Sequence, residues 1–263
     1  MYKWDAQDYK KNSSEQQKWA QELIDKLSLN GNENILDIGC GDGKVTSELA
    51  ARVQKGSVLG IDSSEDMIQL AKKLFPSYAY HNLCFQLMPA ERLDFTEQFD
   101  VVFSNAALHW VKDHQPVLQG INKALNRGGK ILLQMGGKGN ASNLIKVLDQ
   151  LIQSEKWKKY FTNFSFPYGF YSDKEYEQWV TACGLKIKRI ELIPKDMVHD
   201  GPAGLAAWVR TTWLPYTARV EANRRDEFIE EIVTGYVQEN PLDSKGLVHV
   251  EMIRLEVEAY KIL

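Results

Sequence analysis

No stretch of the 263-residue chain strings together the roughly 18 apolar side chains that a membrane-crossing helix needs, so a spanning protein is not expected. Cysteine is scarce. Cys40, Cys84 and Cys183 are odd in number and lack CxxC or Cys/His ligand spacing, which argues against a disulfide framework and against a metal site and points to a reducing cytoplasm. Excess positive charge is also missing. With 32 Lys and Arg against 35 Asp and Glu, the net charge is −3, and no basic face is available to collect phosphates. Nucleic acid and membrane are therefore not expected partners; a small-molecule substrate is, with the chain itself a monomer or homodimer. The opening Met1-Tyr2-Lys3-Trp4-Asp5 has no apolar core of signal-peptide length, and low-complexity tracts, sequence repeats and clear linkers are absent. What remains is the composition of an ordinary soluble globular protein, 44% hydrophobic and 25% charged.

The apolar residues are spaced in an alternating rhythm. Trp19, Ala20, Leu23, Ile24 and Leu27 recur at helical spacing, with Ser13 or Ser14 as a cap. Asn34 to Ile38 reads as a strand, followed by a glycine-rich turn and a helix carrying Val45, Leu49, Ala50 and Val53. The unit repeats: Ser57 to Ile61 is a strand, and Met67, Ile68, Ala71, Leu74 and Phe75 form the stripe of a helix that Pro76 closes. Phe99 to Phe103 and Lys130 to Met135 read as buried strands. A helix through Val117, Leu118, Ile121 and Leu125 separates them, and Arg127-Gly128-Gly129 supplies the turn. Strands alternating with helices at this spacing imply parallel βαβ units covered on both faces. After Gly136 to Asn140 the rhythm gives way to aromatic-rich helical stretches, and strand character returns at Leu185 to Ile193 and Val248 to Tyr260. The expected class is α/β with a doubly wound, mostly parallel sheet; the family resemblance described below implies a Rossmann-like, seven-stranded form of it with a helical, aromatic-rich cap. Its core is expected over 1–139, 180–194 and 247–263, and its cap over 140–179 and 195–246.

The sharpest motif is Asp37-Ile38-Gly39-Cys40-Gly41-Asp42-Gly43, a DxGxGxG turn between strand and helix. Its glycines let the backbone turn tightly and approach a ligand. A dinucleotide enzyme would carry GxGxxG, with pyrophosphate on the helix N-terminus, but position 44 is Lys. A carboxylate at Asp37 suits a ligand bearing a positive amino group. Asp62, 25 positions on, closes the next strand and is placed to accept the two hydroxyls of an adenosyl ribose; an N-cap is its alternative reading.

On these residues the chain resembles class I S-adenosylmethionine-dependent methyltransferases, in the small-molecule branch that includes trans-aconitate and juvenile hormone acid methyltransferases. The resemblance implies S-adenosyl-L-methionine as cofactor and S-adenosyl-L-homocysteine as product. It also implies cofactor contacts at Asp37, Gly39, Gly41, Asp62 and Ser63, with Met67 as a wall of the adenine site. The family's Gly-Asp-Ala is here Met88-Pro89-Ala90-Glu91, so adenine recognition passes from the missing acid to Ala90 or Glu91. Asn105, in the loop Ser104 to Trp110, falls on the cofactor side. His109 and Trp110 fall on the acceptor side, His109 as general base, as hydrogen-bond partner or as a structural residue. Tyr9 and Ser14 in the opening segment are implied cofactor contacts. Tyr168, Arg210 and Trp213 are implied substrate contacts, Arg210 because guanidinium binds carboxylates in a fork. The expected reaction is methyl transfer to a small molecule, a carboxylate oxygen being one acceptor that needs no base. A non-catalytic S-adenosylmethionine-binding regulator and an NAD-dependent oxidoreductase are the alternatives.

Overall fold

A computed structural model of the chain describes residues 14–262. Tyr9 lies outside the described residues. Ser14 begins the first helix, α1 (Ser14–Asp25), which leads into β1 (Asn34–Ile38), α2 (Lys44–Arg52), β2 (Ser57–Asp62), α3 (Glu65–Leu74) and β3 (Leu83–Leu87). Then come β4 (Phe99–Asn105), α4 (Gln115–Ala124), β5 (Leu125–Gly136), α5 (Ser142–Gln153), α6 (Asp173–Ala182) and β6 (Leu185–His199). The chain closes with α7 (Gly201–Thr212), α8 (Leu214–Thr217), α9 (Arg225–Glu239) and β7 (Val248–Lys261). Among the described residues no helix is long and apolar enough to cross a membrane.

The strands form one seven-stranded sheet in the order β3-β2-β1-β4-β5-β7-β6. The pairs β3–β2, β2–β1, β1–β4 and β4–β5 are parallel, and β5–β7 is antiparallel. This is the doubly wound, mostly parallel sheet that the rhythm implies. Because successive strand residues point to opposite faces, one strand feeds two cores. Ile35, Val58, Val101, Phe103 and Leu132 pack with Leu23 and Ile24 of α1, with Leu27 in the turn after it, and with Leu49 of α2. Their neighbours Leu36, Val102, Ile131 and Leu133 pack with Val117, Leu118 and Ile121 of α4 and with Tyr176 and Val180 of α6. Double coverage is why these strands read as continuous apolar runs rather than as alternations.

Two readings change. β3 has no counterpart in the sequence analysis. It is an edge strand with Leu83 and Phe85 buried and Cys84, Gln86 and Leu87 exposed, so it carries half the apolar signal of its neighbours. Gly128-Gly129 does not break the chain before β5. Leu125 already pairs with Phe99, and the register slips before Val101 meets Lys130, so the glycines form an irregularity within the strand. Gly128 has φ 75°, and a Cβ on Gly129 would lie 2.9 Å from the Asn126 carbonyl oxygen.

The chain divides into two compact units, each taken by itself. The sheet unit holds Gln16–Lys138, Tyr168–Ile193 and the chain from Arg254 onward; the second holds Gly139–Pro167 and Pro194–Ile253. The expected boundary at 179/180 therefore moves. The segment from Tyr168 belongs with the sheet because Lys138 N–H donates to the Tyr171 carbonyl at 2.8 Å, and Gly137 bridges Tyr171. The capping box of α6, with Ser172 and Glu175 bonding each other's backbone N–H, starts the helix immediately after. In the second unit, Trp157, Tyr216, Phe228 and Tyr236 are fully buried. Two of these rings are anchored by hydrogen bonds: Trp157 Nε1–H donates to Glu231 at 2.7 Å, and the Tyr236 hydroxyl donates to the His249 carbonyl at 2.8 Å.

In the sheet unit one buried charge ties three elements together. Glu256 on β7 is 0% exposed and accepts from Lys26, just past the end of α1, at 2.7 Å, from Arg189 of β6, and from Gln134 of β5 at 3.0 Å. Burial alone would raise its pKa, but the hydrogen bonds from Lys26, Arg189 and Gln134 outweigh it and hold the group ionised. Removing one partner from such a cluster leaves charges uncompensated. Glu256→Ala should therefore cost about 3 kcal/mol in urea unfolding, and Lys26→Met, which leaves Arg189 and Gln134 in place, roughly half of that or less. Equal costs for the two would contradict this division of roles.

Candidate active site

The C-terminal ends of β1, β2 and β4, the place where open parallel sheets bind ligands, carry the motif residues. After β1 the chain turns through Gly39, Gly41 and Gly43, all at positive φ (77°, 54° and 81°). Gly39 is there for contact as well as conformation: a Cβ would sit 2.1 Å from the Cβ of Ala107. At Gly41 a Cβ would meet nothing within 4 Å. The turn is pinned to β2, since the N–H groups of Gly39 and Cys40 both donate to the Ile61 carbonyl at 2.8 and 2.9 Å.

Two carboxylates flank this turn. Asp37 is 2% exposed and accepts from the Thr46 hydroxyl of α2 at 2.7 Å. Asp62 accepts from Gly41 N–H at 3.0 Å and from Ser64 N–H at 2.8 Å, and its own carbonyl accepts from Met88 N–H at 2.9 Å. The N-cap of α3 is Ser64, whose hydroxyl accepts from Met67 N–H; this displaces the capping alternative for Asp62. Burial pushes the Asp37 carboxyl up to about 7, against the Thr46 hydrogen bond and with help from the charge of Asp62. Burial raises Asp62 too, despite the backbone N–H groups on it. Among the described residues no ion pair joins either acid, while nearby Asp42 has Lys44 at 2.9 Å. A buried acid raised by a half-buried neighbour, with no ion pair to either among the described residues and an open glycine beside them, fits a ligand that brings positive charge and hydroxyl donors.

Around them, Met67 is buried, Ser63 is exposed, Ala90 is half-buried in a one-turn 3-10 helix (Ala90–Arg92), and the side chain of Glu91 is exposed. The Oδ1 atom of Asn105 is buried and has no hydrogen-bond partner among the described residues. The next residue, Ala106, takes φ 54°, so the loop reverses sharply before Ala107 meets the glycine turn.

That loop ends in Leu108–Trp110, a 3-10 turn that presents His109 and Trp110. Three rings surround the His109 imidazole: Trp110 at 5.6 Å, Phe170 at 5.9 Å and Tyr168 at 6.2 Å between centroids, with Tyr168 and Phe170 stacked. Gly169 N–H fixes this arrangement by donating to the His109 carbonyl at 2.8 Å. His109 Nδ1 accepts from Gly136 N–H at 3.4 Å, so Nε2 carries the proton. Burial, and then the charges of Arg254 and His114, hold the His109 pKa well below its ordinary value. A neutral imidazole whose basic nitrogen is turned toward backbone is a hydrogen-bond donor.

Sequence reasoning singled out Asp37, Asp62, His109, Trp110 and Tyr168 as site residues but not Thr46, Phe170 or Arg254, which the structure sets beside them. Thr46 shows no motif. Phe170 was one aromatic among many. Arg254, buried on β7 opposite Gly136 with its guanidinium over Trp19, is far along the chain. Arg210 and Trp213 are in the second unit. Arg210 is exposed and pairs with Asp226 at 3.4 Å, so it offers no buried fork for a carboxylate; Trp213 is buried beside Trp208.

Residues 29–184 match the family described as a methyltransferase domain, well over half of the chain. The chain belongs to the class I S-adenosylmethionine-dependent methyltransferases. An uncharacterised methyltransferase of Schizosaccharomyces pombe is 32% identical over 196 residues, covering 73% of this chain and 74% of that one. A trans-aconitate 2-methyltransferase of Methylobacterium nodulans is 27% identical over 263 residues, covering 97% of each. Among solved structures, phosphoethanolamine N-methyltransferase 2 of Haemonchus contortus, in complex with phosphomonomethylethanolamine and S-adenosylhomocysteine, superposes with TM-score 0.60 at 20% identity. That superposition covers 94% of this chain and 53% of that one, and it speaks for the fold alone. The methyltransferase is thus an enzyme whose cofactor is S-adenosylmethionine, and the oxidoreductase and non-catalytic alternatives are set aside.

The glycine turn gives a comparison within one loop. Gly39→Ala must displace Ala107 or the turn and should cost 1–3 kcal/mol beyond the backbone term, as overpacking does. Gly41→Ala meets no protein atom and should cost about 1 kcal/mol, the left-handed conformation alone. Urea unfolding of the two variants compares them, and equal costs would refute the close approach to Ala107.

Proposed function

We propose that the methyltransferase acts on a small-molecule acceptor, with a carboxylate oxygen as the favoured target, and that the glycine turn with its two acids holds the cofactor. The observation that carries this reading is the pair of carboxylates at the ends of adjacent strands, Asp37 buried and Asp62 half-buried, neither of them ion-paired among the described residues. Asp62, oriented by Gly41 and Ser64 N–H, is suited to accept the ribose hydroxyls. Asp37, backed by Thr46, is suited to the ammonium of the methionine moiety. Gly39 and Gly41 give the backbone approach. Met67, Ser63 and the Ala90–Glu91 turn border the adenine position, and Asn105 Oδ1 offers an acceptor on the same side. Tyr9 and Ser14 stay with this set through the family resemblance alone.

S-adenosylmethionine supplies an electrophilic methyl group on a sulfonium sulfur. The protein's part is alignment and exclusion of water, which suffice for an in-line displacement with a good leaving group. His109, neutral, donates from Nε2 to an acceptor oxygen and steers it. Trp110, Tyr168 and Phe170 flank that nitrogen with apolar ring surface, a suitable bed for a flat or unsaturated acid. A carboxylate acceptor is anionic at neutral pH and needs no base, which agrees with a histidine that does not titrate there. Similarity to trans-aconitate 2-methyltransferases supports an acid of that kind. The three free cysteines support a reducing, cytoplasmic setting. S-adenosylhomocysteine release, measured against a panel of unsaturated di- and tricarboxylates, phenols and amines, tests the acceptor class; turnover of amines or phenols alone would overturn the carboxylate assignment.

The acids give a pH signature. With its pKa near 7 in the free protein, Asp37 takes up a proton on folding between about pH 4 and 7, so its contribution to stability falls as pH rises through that window. The bound ammonium reverses this preference. Affinity for S-adenosylhomocysteine should rise up to about pH 7 as Asp37 ionises, then fall above about pH 8 as the ligand's amino group loses its proton. Calorimetry should show the rise abolished in Asp37→Asn and affinity reduced at least about tenfold in Asp62→Ala. A flat profile in the wild type, or unchanged binding in Asp62→Ala, would contradict the assignment.

A further inference from the structure

His114 takes no part in the roles assigned so far, yet it is 1% exposed and lies at the start of α4, directly after the loop that presents His109 and Trp110. Its Nε2 sits 2.8 Å from the Leu108 carbonyl oxygen and 3.0 Å from that of Val111. Carbonyl oxygens only accept, so Nε2 carries the proton and divides it between the two. Nδ1 faces the hydroxyl of Tyr176, which lies on α6 and also touches the Met135 sulfur of β5 at 3.2 Å. A thioether is the weaker acceptor, so the hydroxyl proton belongs to Nδ1. The ring is held in one tautomer, neutral, with both nitrogens filled, and Tyr171 packs edge-on at 4.8 Å.

The two clamped carbonyls bracket His109 and Trp110 in sequence. The turn's own bonds, Trp110 N–H to Ala107 and Val111 N–H to Leu108 at 3.0 and 2.9 Å, close a single loop of 3-10 helix, too short to persist unaided. Gly169 N–H holds the His109 carbonyl from one side. Among the described residues, His114 is the side chain that holds the flanking carbonyls from the other. Gln or Asn could donate to a carbonyl, but neither also offers an aromatic edge and an sp2 nitrogen acceptor to a buried tyrosine.

We propose that His114 is a positioning residue: by tying the Leu108 and Val111 carbonyls to the Tyr176 hydroxyl, it fixes the direction in which His109 and Trp110 face the methyl acceptor. The functional meaning rests on the reading of His109 and Trp110 as acceptor-side residues. The structural link does not.

The test is nitrogen-15 NMR of the imidazoles in the full chain, with His109→Gln giving the assignment, together with amide exchange over residues 107–112 and calorimetry with S-adenosylhomocysteine. In the wild type, His109 and His114 should both show the neutral Nε2–H pattern unchanged between pH 5 and 8. In His114→Phe the His109 nitrogen signals should move and the 107–112 amides should exchange about tenfold faster or more, while S-adenosylhomocysteine affinity stays within about twofold of wild type. His114→Gln, which keeps a donor at similar reach, should restore most of the protection. Should His114→Phe not fold, Tyr176→Phe carries the test. It leaves Nδ1 unfilled, and the His109 signals should move in it too. The proposal is overturned if His109 and the loop amides are unchanged in the folded variants, or if the cofactor product is lost from His114→Phe but retained by wild type. Failure of wild type itself to bind S-adenosylhomocysteine would sink the cofactor reading, while the ring and amide signals would still decide the role of His114.

Discussion

The site depends on one electrostatic constraint. At the ends of neighbouring parallel strands stand a buried carboxylate, Asp37, and a half-buried one, Asp62, close enough that the charge of Asp62 raises the pKa of Asp37, and among the described residues no cation is paired with either. Water solvates an exposed carboxylate; a buried one without a counterion either binds a proton or waits for a positive ligand. Asp37 is balanced between those outcomes near neutral pH. Asp62 is kept in place by two backbone N–H groups, one of them from the glycine turn itself. The fold is therefore less stable than it could be at this place, and a cationic ligand bound there would remove the penalty.

The surrounding structure holds that arrangement rigid. Parallel pairing puts Asp37 beside Gly60 and Ile38 beside Ile61, so the ends of β1 and β2 are level and the turn can bond the Ile61 carbonyl. A Cβ on Gly60 would lie 2.9 Å from Cys40 and Phe85, so that glycine is what lets the motif loop settle against the sheet. Across β1, the loop after β4 bends at Ala106 and brings the Ala107 side chain against Gly39, joining the glycine turn to the ring cluster around His109. Further along the sheet, Glu256 locks β5, β6 and β7 to α1 by charge. Apolar packing on both faces gives the sheet its bulk stability, and polar contacts at the strand ends set its chemistry.

Much of this was legible in the residues. The bounds of β1, the glycine turn, Asp37 and Asp62 follow from a short apolar run, three glycines and an acid at a fixed spacing, all local in sequence. Local signals also gave α2, α3 and α4. What was not legible depends on partners distant in sequence. β3, with one face in water, has too few buried residues to stand out. The segment Tyr168–Tyr171 looks like the rest of an aromatic-rich insertion, and only backbone bonds to Lys138 and His109 assign it to the sheet unit. Thr46, His114 and Arg254 matter because of what they touch, and no spacing announces it. The role of His109 could not be decided from residue type, since base and donor differ only in which nitrogen the backbone occupies.

The most direct measurement is a carbon-13 titration of the Asp37 side-chain carboxyl, followed by NMR without and with saturating S-adenosylhomocysteine. The account predicts an apparent pKa near 7 in the free protein, falling by one to several units when the ligand's ammonium is bound. A carboxyl that titrates near 4 in the free protein, or one whose titration the ligand leaves unmoved, would contradict it.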